Sequence, residues 1–523
     1  MNQEEIKKKQ KRVMVYVMII SLICVVGVSY AFFTAGMSSE TSTTVRADAG
    51  TMKITYDGGK KINLVGIYPK DDVWATKTIT VTGNNTTDAE MYYKLTLVVD
   101  SNTFKIDDPL QYELVSTNTS TNGDIIPNIS KTDITGTSIE LGSGHFVKAN
   151  NAKHTYLLKI YYPKKATSQN ANQGAAFSAH VEITSAKAPK TNGKLSELVL
   201  YNNEVKAPIT TPGAAVSTAS EALLASTEDD YGTSYYFRGA VTNNYVEFAN
   251  KCWRIVRVGG DDSVKLILHN DNTKKVANPC DAANNSTSAA FARYSGTTYK
   301  SAFNTNYNDN AYVGFKFGTV GSSTYEATHA NTNNSTILTN LEAWYNNNDN
   351  FKKYEKVIAD TVWCNDKTNV TDTTYNPWNM SNVNGLGYGT NTTYYGATQR
   401  LVSKSNSAGG TGPSLKCNGE LSKIASKVGL ITADELAYAG YAWNIGNTTT
   451  YLQENATDTY WWSLSPGIFV GSSAGVWRVG GSNGGLNRSD VDYTGGLRPS
   501  ISLKSTTSVT GEGTSSSPYI ISM

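Results

Sequence analysis

Within residues 51–187, apolar side chains recur at every second position. Met91, Tyr93, Leu95, Leu97 and Val99 fall on one face of an extended segment, with Tyr92, Lys94, Thr96 and Asp100 mostly on the other. Phe177, Ala179, Val181 and Ile183 repeat the pattern and leave Ser178, His180, Glu182 and Thr184 outward. A period of two marks a strand with one buried face. Asp57-Gly58-Gly59, Gly83-Asn84-Asn85, Thr121-Asn122-Gly123 and Gly142-Ser143-Gly144 punctuate the region as turns. Short strands at that spacing predict a β-sandwich, assigned to residues 34–187.

Residues 188–225 hold Pro189, Pro208, Pro212 and many small side chains, and read as a linker around a short structured piece. A second domain is assigned to 226–505. Residues 245–248 and 253–258 alternate as strands, and Gly259-Gly260-Asp261-Asp262 turns the second into 264–268, a hairpin signal. Helical spacing is confined to patches. Ile337, Leu338, Leu341, Trp344 and Tyr345 recur at three and four, with Asn334 or Ser335 as the N-cap. Thr432-Ala433-Asp434-Glu435 has the spacing of a capping box. Residues 506–523 read as a C-terminal tail.

Two stretches resemble known families. Tyr30-Ala31-Phe32-Phe33, followed by Ala49-Gly50-Thr51-Met52-Lys53-Ile54, is similar to the opening of the camelysin and biofilm-fibre family of Gram-positive bacteria. That likeness implies a matrix-fibre subunit or a metallopeptidase. A zincin needs two His on one helical face with a Glu between them, and none of the five His here is followed by Glu. Tyr460-Trp461-Trp462-Ser463-Leu464-Ser465-Pro466, then Gly475-Val476-Trp477-Arg478-Val479, then Gly495-Gly496-Leu497-Arg498-Pro499 resemble uncharacterised bacterial surface domains of C-type-lectin-like fold. Trp363-Cys364-Asn365-Asp366 and residues 429–435 extend the likeness. It implies a scaffold whose loops bind a ligand. Neither Glu-Pro-Asn nor Gln-Pro-Asp occurs, so sugar binding through calcium is not expected. The fold class is therefore mostly β with a single N-terminal transmembrane helix: a β-sandwich followed by an α+β C-type-lectin-like domain.

The transmembrane assignment rests on residues 13–33, which are 21 positions without a charge. As a helix they span about 31 Å, close to a hydrocarbon core of roughly 30 Å. Lys7, Lys8, Lys9, Lys11 and Arg12 against Glu4 and Glu5 put +3 into residues 1–12, so the head stays in the cytoplasm and the rest is extracellular. The formal charge of +2 then leaves −1 for the remainder, without the basic stripe that a nucleic-acid partner requires. Charged residues are only 17% of the chain, but its 32 tyrosines and its β-branched residues supply the apolar surface that a disordered chain lacks.

Cys24 lies in the apolar span, which leaves Cys252, Cys280, Cys364 and Cys417 outside. An even number in an exported region predicts two disulfides. Nearest-neighbour pairing, Cys252 with Cys280 and Cys364 with Cys417, is the economical choice among three. Loop closure would then be worth about 3.5 and 4 kcal/mol.

Catalytic constellations are not expected. Gly471-Ser472-Ser473-Ala474-Gly475 has the spelling of a nucleophile elbow, but that motif needs a later His and the last is His329. Asp490-Val491-Asp492-Tyr493-Thr494-Gly495 resembles a calcium loop, yet Ile501 stands where a bidentate Glu is required. No cofactor or protein metal site is expected, calcium being the one ion this oxygen-rich hairpin would admit. The reading is a non-enzymatic, membrane-anchored surface protein that binds an extracellular glycan or protein, with a structural matrix or fibre subunit as the alternative. The binding face is assigned to the hairpin of residues 477–493: exposed Trp477 and Arg478, then Asn483, Asn487 and Arg488, with Asp490 and Asp492 sharing one face. Arg498 and Glu435 are assigned structural roles, with Glu435 or Asp434 as the partner of Arg498.

Ser29-Tyr30-Ala31 would serve as a cleavage site, but 21 apolar residues exceed a signal core. Mass spectrometry of the cell-bound protein is expected to recover the basic head. A mature N-terminus at Phe32 would remove the anchor.

Overall fold

The computed structural model describes residues 60–522 except 86–89, 119–121 and 186–189, together with strand positions 43–44, 47–48 and 51–57. The basic head and the apolar span 13–33 lie outside the described residues. Among the described residues no helix is long and apolar enough to cross a membrane. The chain divides into two compact units at residues 188 and 189.

The first unit is a pair of antiparallel sheets. Strands β1 (Thr51–Asp57), β3 (Lys70–Asn85), β8 (Ala149–Tyr162), β5 (Gln111–Ser116) and β6 (Ile129–Asp133) lie in that order in one sheet. Strands β2 (Ile62–Val65), β9 (Ala176–Ser185), β4 (Met91–Asn102) and β7 (Ser138–Phe146) form the other. The alternating positions of β4 and β9 all point inward, where they join Ile79, Val81, Leu114, Leu158 and Ile160 in one core. A short polar chain is sealed inside it. Tyr93 Oη lies 2.6 Å from both His154 Nδ1 and Tyr156 Oη, and Tyr156 accepts the Ile126 amide at 3.0 Å. Every buried polar group in that chain has a partner, as burial demands.

The second unit begins earlier than the composition indicates. Residues 190–225 are not a linker. Strand β10 (Asn192–Lys194) pairs with β25 (Ser508–Thr510), and α1 (Leu195–Asn202) buries Leu195, Leu198 and Val199. Glu221 and Arg238 are both fully buried, with Arg238 Nε donating to Glu221 at 2.9 Å. The tail is folded as well, because β26 (Tyr519–Ile521) pairs in parallel with β13 (Tyr245–Phe248). Segments more than 300 residues apart thus close the same sheet, a constraint that local composition cannot carry.

That larger sheet runs β10-β25-β26-β13-β14-β12-β11, where β11 is Ala222–Asp229, β12 is Gly232–Gly239 and β14 is Lys251–Val258. Strand β15 (Val264–Asn270) pairs with β14 through the expected hairpin and with β24 (Ser500–Leu503) on its other side. A second sheet runs β16 (Lys300–Ala302), β23 (Thr494–Gly496), β20 (Trp461–Val470), β21 (Ser473–Val479) and β22 (Leu486–Asp490), with β18 (Thr392–Tyr394) also on β20. Residues 471–472 are the turn between β20 and β21 rather than a nucleophile elbow. Strand β17 (Thr361–Cys364) pairs with β19 (Lys423–Ser426).

Helix α2 (Thr336–Asn346) is capped by Ser335, whose side chain accepts the Leu338 amide, while α3 is Gly396–Leu401. Helix α4 (Ala433–Ala439) starts on a complete capping box between Thr432 and Glu435. The disulfides are Cys252–Cys280 and Cys364–Cys417, the nearest-neighbour pairs. A fragment of residues 190–523 is expected to melt cooperatively, whereas 226–505, stripped of β10, α1, β25 and β26, is not. Calorimetry of the two fragments checks this, and a cooperative transition in the shorter one would contradict it.

Candidate functional site

The hairpin of β21 and β22 does not present the expected surface. Trp477 is fully buried and packs edge-on against Trp443, ring centroids 5.3 Å apart. Strand β21 lies between β20 and β22 and is covered on both faces, so alternation there does not separate inside from outside. Trp461 and Trp462 are both fully buried for the same reason. Arg478 is half-buried, stacked on Tyr460 at 4.7 Å and donating to Ser489 Oγ at 2.6 Å. Arg488 stacks on Trp378 at 4.5 Å. Asn483 is exposed and accepts the Gly485 amide, and Asn487 donates to Asn444 at 3.5 Å. Asp490 ends β22, but Asp492 lies in the turn beyond it, so a strand period does not place them on one face.

Arg498 is buried, but neither Glu435 nor Asp434 is its partner. Its guanidinium donates to the backbone oxygens of Leu268 (3.0 Å) and Leu452 and stacks over Trp461 at 4.7 Å. Burial lowers its pKa to about 10.

Glu435 and Asp434 instead line a cavity of about 250 Å³ in the second unit. Glu435 Oε1 accepts from Arg257 Nε at 3.0 Å and Lys265 Nζ at 2.7 Å, while Oε2 accepts the Thr432 amide at 2.9 Å. Arg257 also reaches Asp229 Oδ2 at 2.9 Å. Arg400 closes the other wall, gripping Asp434 through Nε (2.6 Å) and Nη2 (2.9 Å) and Asp366 through Nη1 (2.7 Å). A Cβ at Gly396 would lie 2.7 Å from Asp366 Oδ2 and 2.9 Å from Arg400 Nη1, so a larger residue at the start of α3 would force that pair to shift. Burial alone would push the Glu435 carboxyl up, but Lys265, Arg257 and the Thr432 amide outweigh it and bring its pKa down to about 2. Burial lowers the Lys265 ammonium against the opposing pull of Glu435. Arg400 is raised, because Asp434 and Asp366 outweigh its burial.

The motifs of the sequence converge here. Trp363 sits in the core beneath Gly429, and Cys364 staples the cavity rim to Cys417. Asn365 accepts the Phe315 amide and donates to Leu464 O, and Asp366 takes Arg400. Ser465 Oγ accepts the Ala433 amide at 2.9 Å. Asp229, Arg257, Lys265 and Arg400 were missed in the sequence. The available signal was basic residues inside apolar strands: Arg254 and Arg257 within β14, and Lys265 within β15. A buried charge needs a buried partner.

Among the described residues no group of three or more His, Cys, Asp or Glu is placed to hold a metal ion. No protein-family model matches the chain, and no curated protein matches it.

The depressed Glu435 pKa sets a sign. A carboxyl held below its unfolded value stabilises the fold above that value and loses the contribution as pH falls toward about 2. Glu435→Gln should therefore cost on the order of 3 kcal/mol at pH 7, the gap to wild type closing between about pH 4.5 and 2. Denaturant titrations at each pH measure it, and a pH-independent gap would contradict the ion network.

Proposed function

We propose that this chain is a membrane-anchored extracellular surface protein, spanning the membrane once through residues 13–33 with residues 1–12 in the cytoplasm. Its second unit is a C-type-lectin-like, non-enzymatic module that binds a glycan or protein ligand in adhesion. The observation that carries this reading is the charged cavity with the Cys364–Cys417 disulfide in its rim. Binding sites are concave, with a few polar groups fixed in place, and here the fixing is done by ion pairs rather than by a mobile loop. Disulfides persist where the surroundings are oxidising, which supports display outside the cell. The near-neutral charge after the basic head supports a partner other than nucleic acid. The recognition surface moves from the hairpin to the cavity, because Trp477 is committed to the core.

The test is an array of glycans, peptides and cell-wall fragments probed with the full chain in detergent. Val362 lines the cavity mouth and is 40% exposed. Val362→Trp should block the cavity without touching the ion pairs. Retention of a subset of the array by wild type, lost in Val362→Trp, is the expected result. Retention of nothing by wild type would sink the binding reading.

A further inference from the structure

The hydrogen-bond capacity of the cavity is lopsided. Asp229, Asp434 and Glu435 each accept three hydrogen bonds and Asp366 two, all from within the protein. The donors are less occupied. Lys265 Nζ donates one bond, and Arg257 Nη2 donates none among the described residues. An ammonium carries three N–H groups and a guanidinium five. The buried wall therefore has N–H groups to spare and carboxylates that are largely saturated, a surface that accepts a ligand oxygen in preference to a ligand proton.

Charge narrows the ligand further. Arg257, Lys265 and Arg400 face four carboxylates in the wall, and Lys416, Lys423 and Asp230 complete the lining, five cations against five carboxylates and a net charge of zero. A phosphate dianion would add two negative charges to that wall. A zwitterion adds none, and the rim offers both signs, Lys416 and Lys423 beside Asp230, which accepts a single hydrogen bond, from the Cys417 amide at 3.0 Å. The volume of about 250 Å³ is close to the lower end of small-ligand sites, roughly 300 Å³.

We propose that the cavity takes an α-amino acid or the C-terminal residue of a peptide, its carboxylate bonded to the spare N–H groups of Arg257 and Lys265 and its amino group toward Asp230. This assignment rests on the second unit being a ligand-binding module. Arg257 Nε and Nη1 are already committed, so the ligand carboxylate takes one charge-assisted bond from Arg257 Nη2 and one from Lys265 Nζ.

Calorimetric titration of the full chain in detergent micelles tests it, with alanine, alanylalanine, alaninamide, acetate and inorganic phosphate as probes. Alanine or alanylalanine should bind, while alaninamide, which lacks the carboxylate, should bind at least tenfold more weakly. Alanine without alanylalanine identifies the free amino acid as the source, and the reverse identifies a peptide terminus. Lys265→Gln keeps a donor for Glu435 but removes the ammonium, and should weaken binding at least tenfold; thermal melting reports whether it folds. Should Lys265→Gln fail to fold, Val362→Trp supplies the same test by blocking the mouth. Equal binding of alaninamide and alanine, tighter binding of phosphate, or unchanged affinity in Val362→Trp would overturn the proposal. So would no binding by any probe. If the array retains wild type while all five probes fail, the carboxylate assignment falls and the binding module stands.

Discussion

Glu435 ties the helix α4 to the larger sheet of the second unit by holding Arg257 of β14 and Lys265 of β15 on one carboxylate oxygen. Its neighbour Asp434 ties the same helix to α3 through Arg400. Burying such charges costs several kcal/mol per ion, so the surrounding packing has to hold every partner within hydrogen-bond reach. The capping box, the Ser465 hydroxyl under the Ala433 amide and the bare Cα of Gly396 all serve that requirement. Removing one member leaves a buried charge uncompensated, at a cost of about 3–5 kcal/mol. The cavity is lined by these ion pairs, and the Cys364–Cys417 disulfide lies in its rim.

The two units show where sequence pattern succeeds and where it fails. In the first, each sheet has one buried face, so a period of two separates Met91, Tyr93, Leu95 and Leu97 from their polar neighbours. In the second, central strands are covered on both sides. Strand β20 is buried at nine of its ten positions, and no alternation survives to distinguish Trp461 from Trp462 or to show that Trp477 is inside. Local hydrogen-bonding rules remained readable there, since the Ser335 cap and the Thr432–Glu435 box depend only on residues three apart.

Long-range relations were the illegible part. Pairing of residues 192–194 with 508–510 turned an apparent linker and tail into sheet strands. The partners of Glu435 are 178 and 170 residues away, so its charge could be flagged as structural but not connected. Arg498 illustrates the limit. Its burial was foreseeable from its place before Pro499 and an apolar strand, but its acceptors are backbone oxygens, which no side-chain chemistry announces.

The central claim is that the ion network is a preformed recognition surface with free N–H groups on Arg257 and Lys265. Side-chain nitrogen NMR of the full chain, labelled on arginine and lysine and titrated with alanine, addresses those atoms directly. The account predicts that the Arg257 and Lys265 signals shift and become protected from solvent exchange, while Arg478 and Arg488 do not respond. Shifts confined to Arg478 and Arg488, or to exposed lysines, would contradict it.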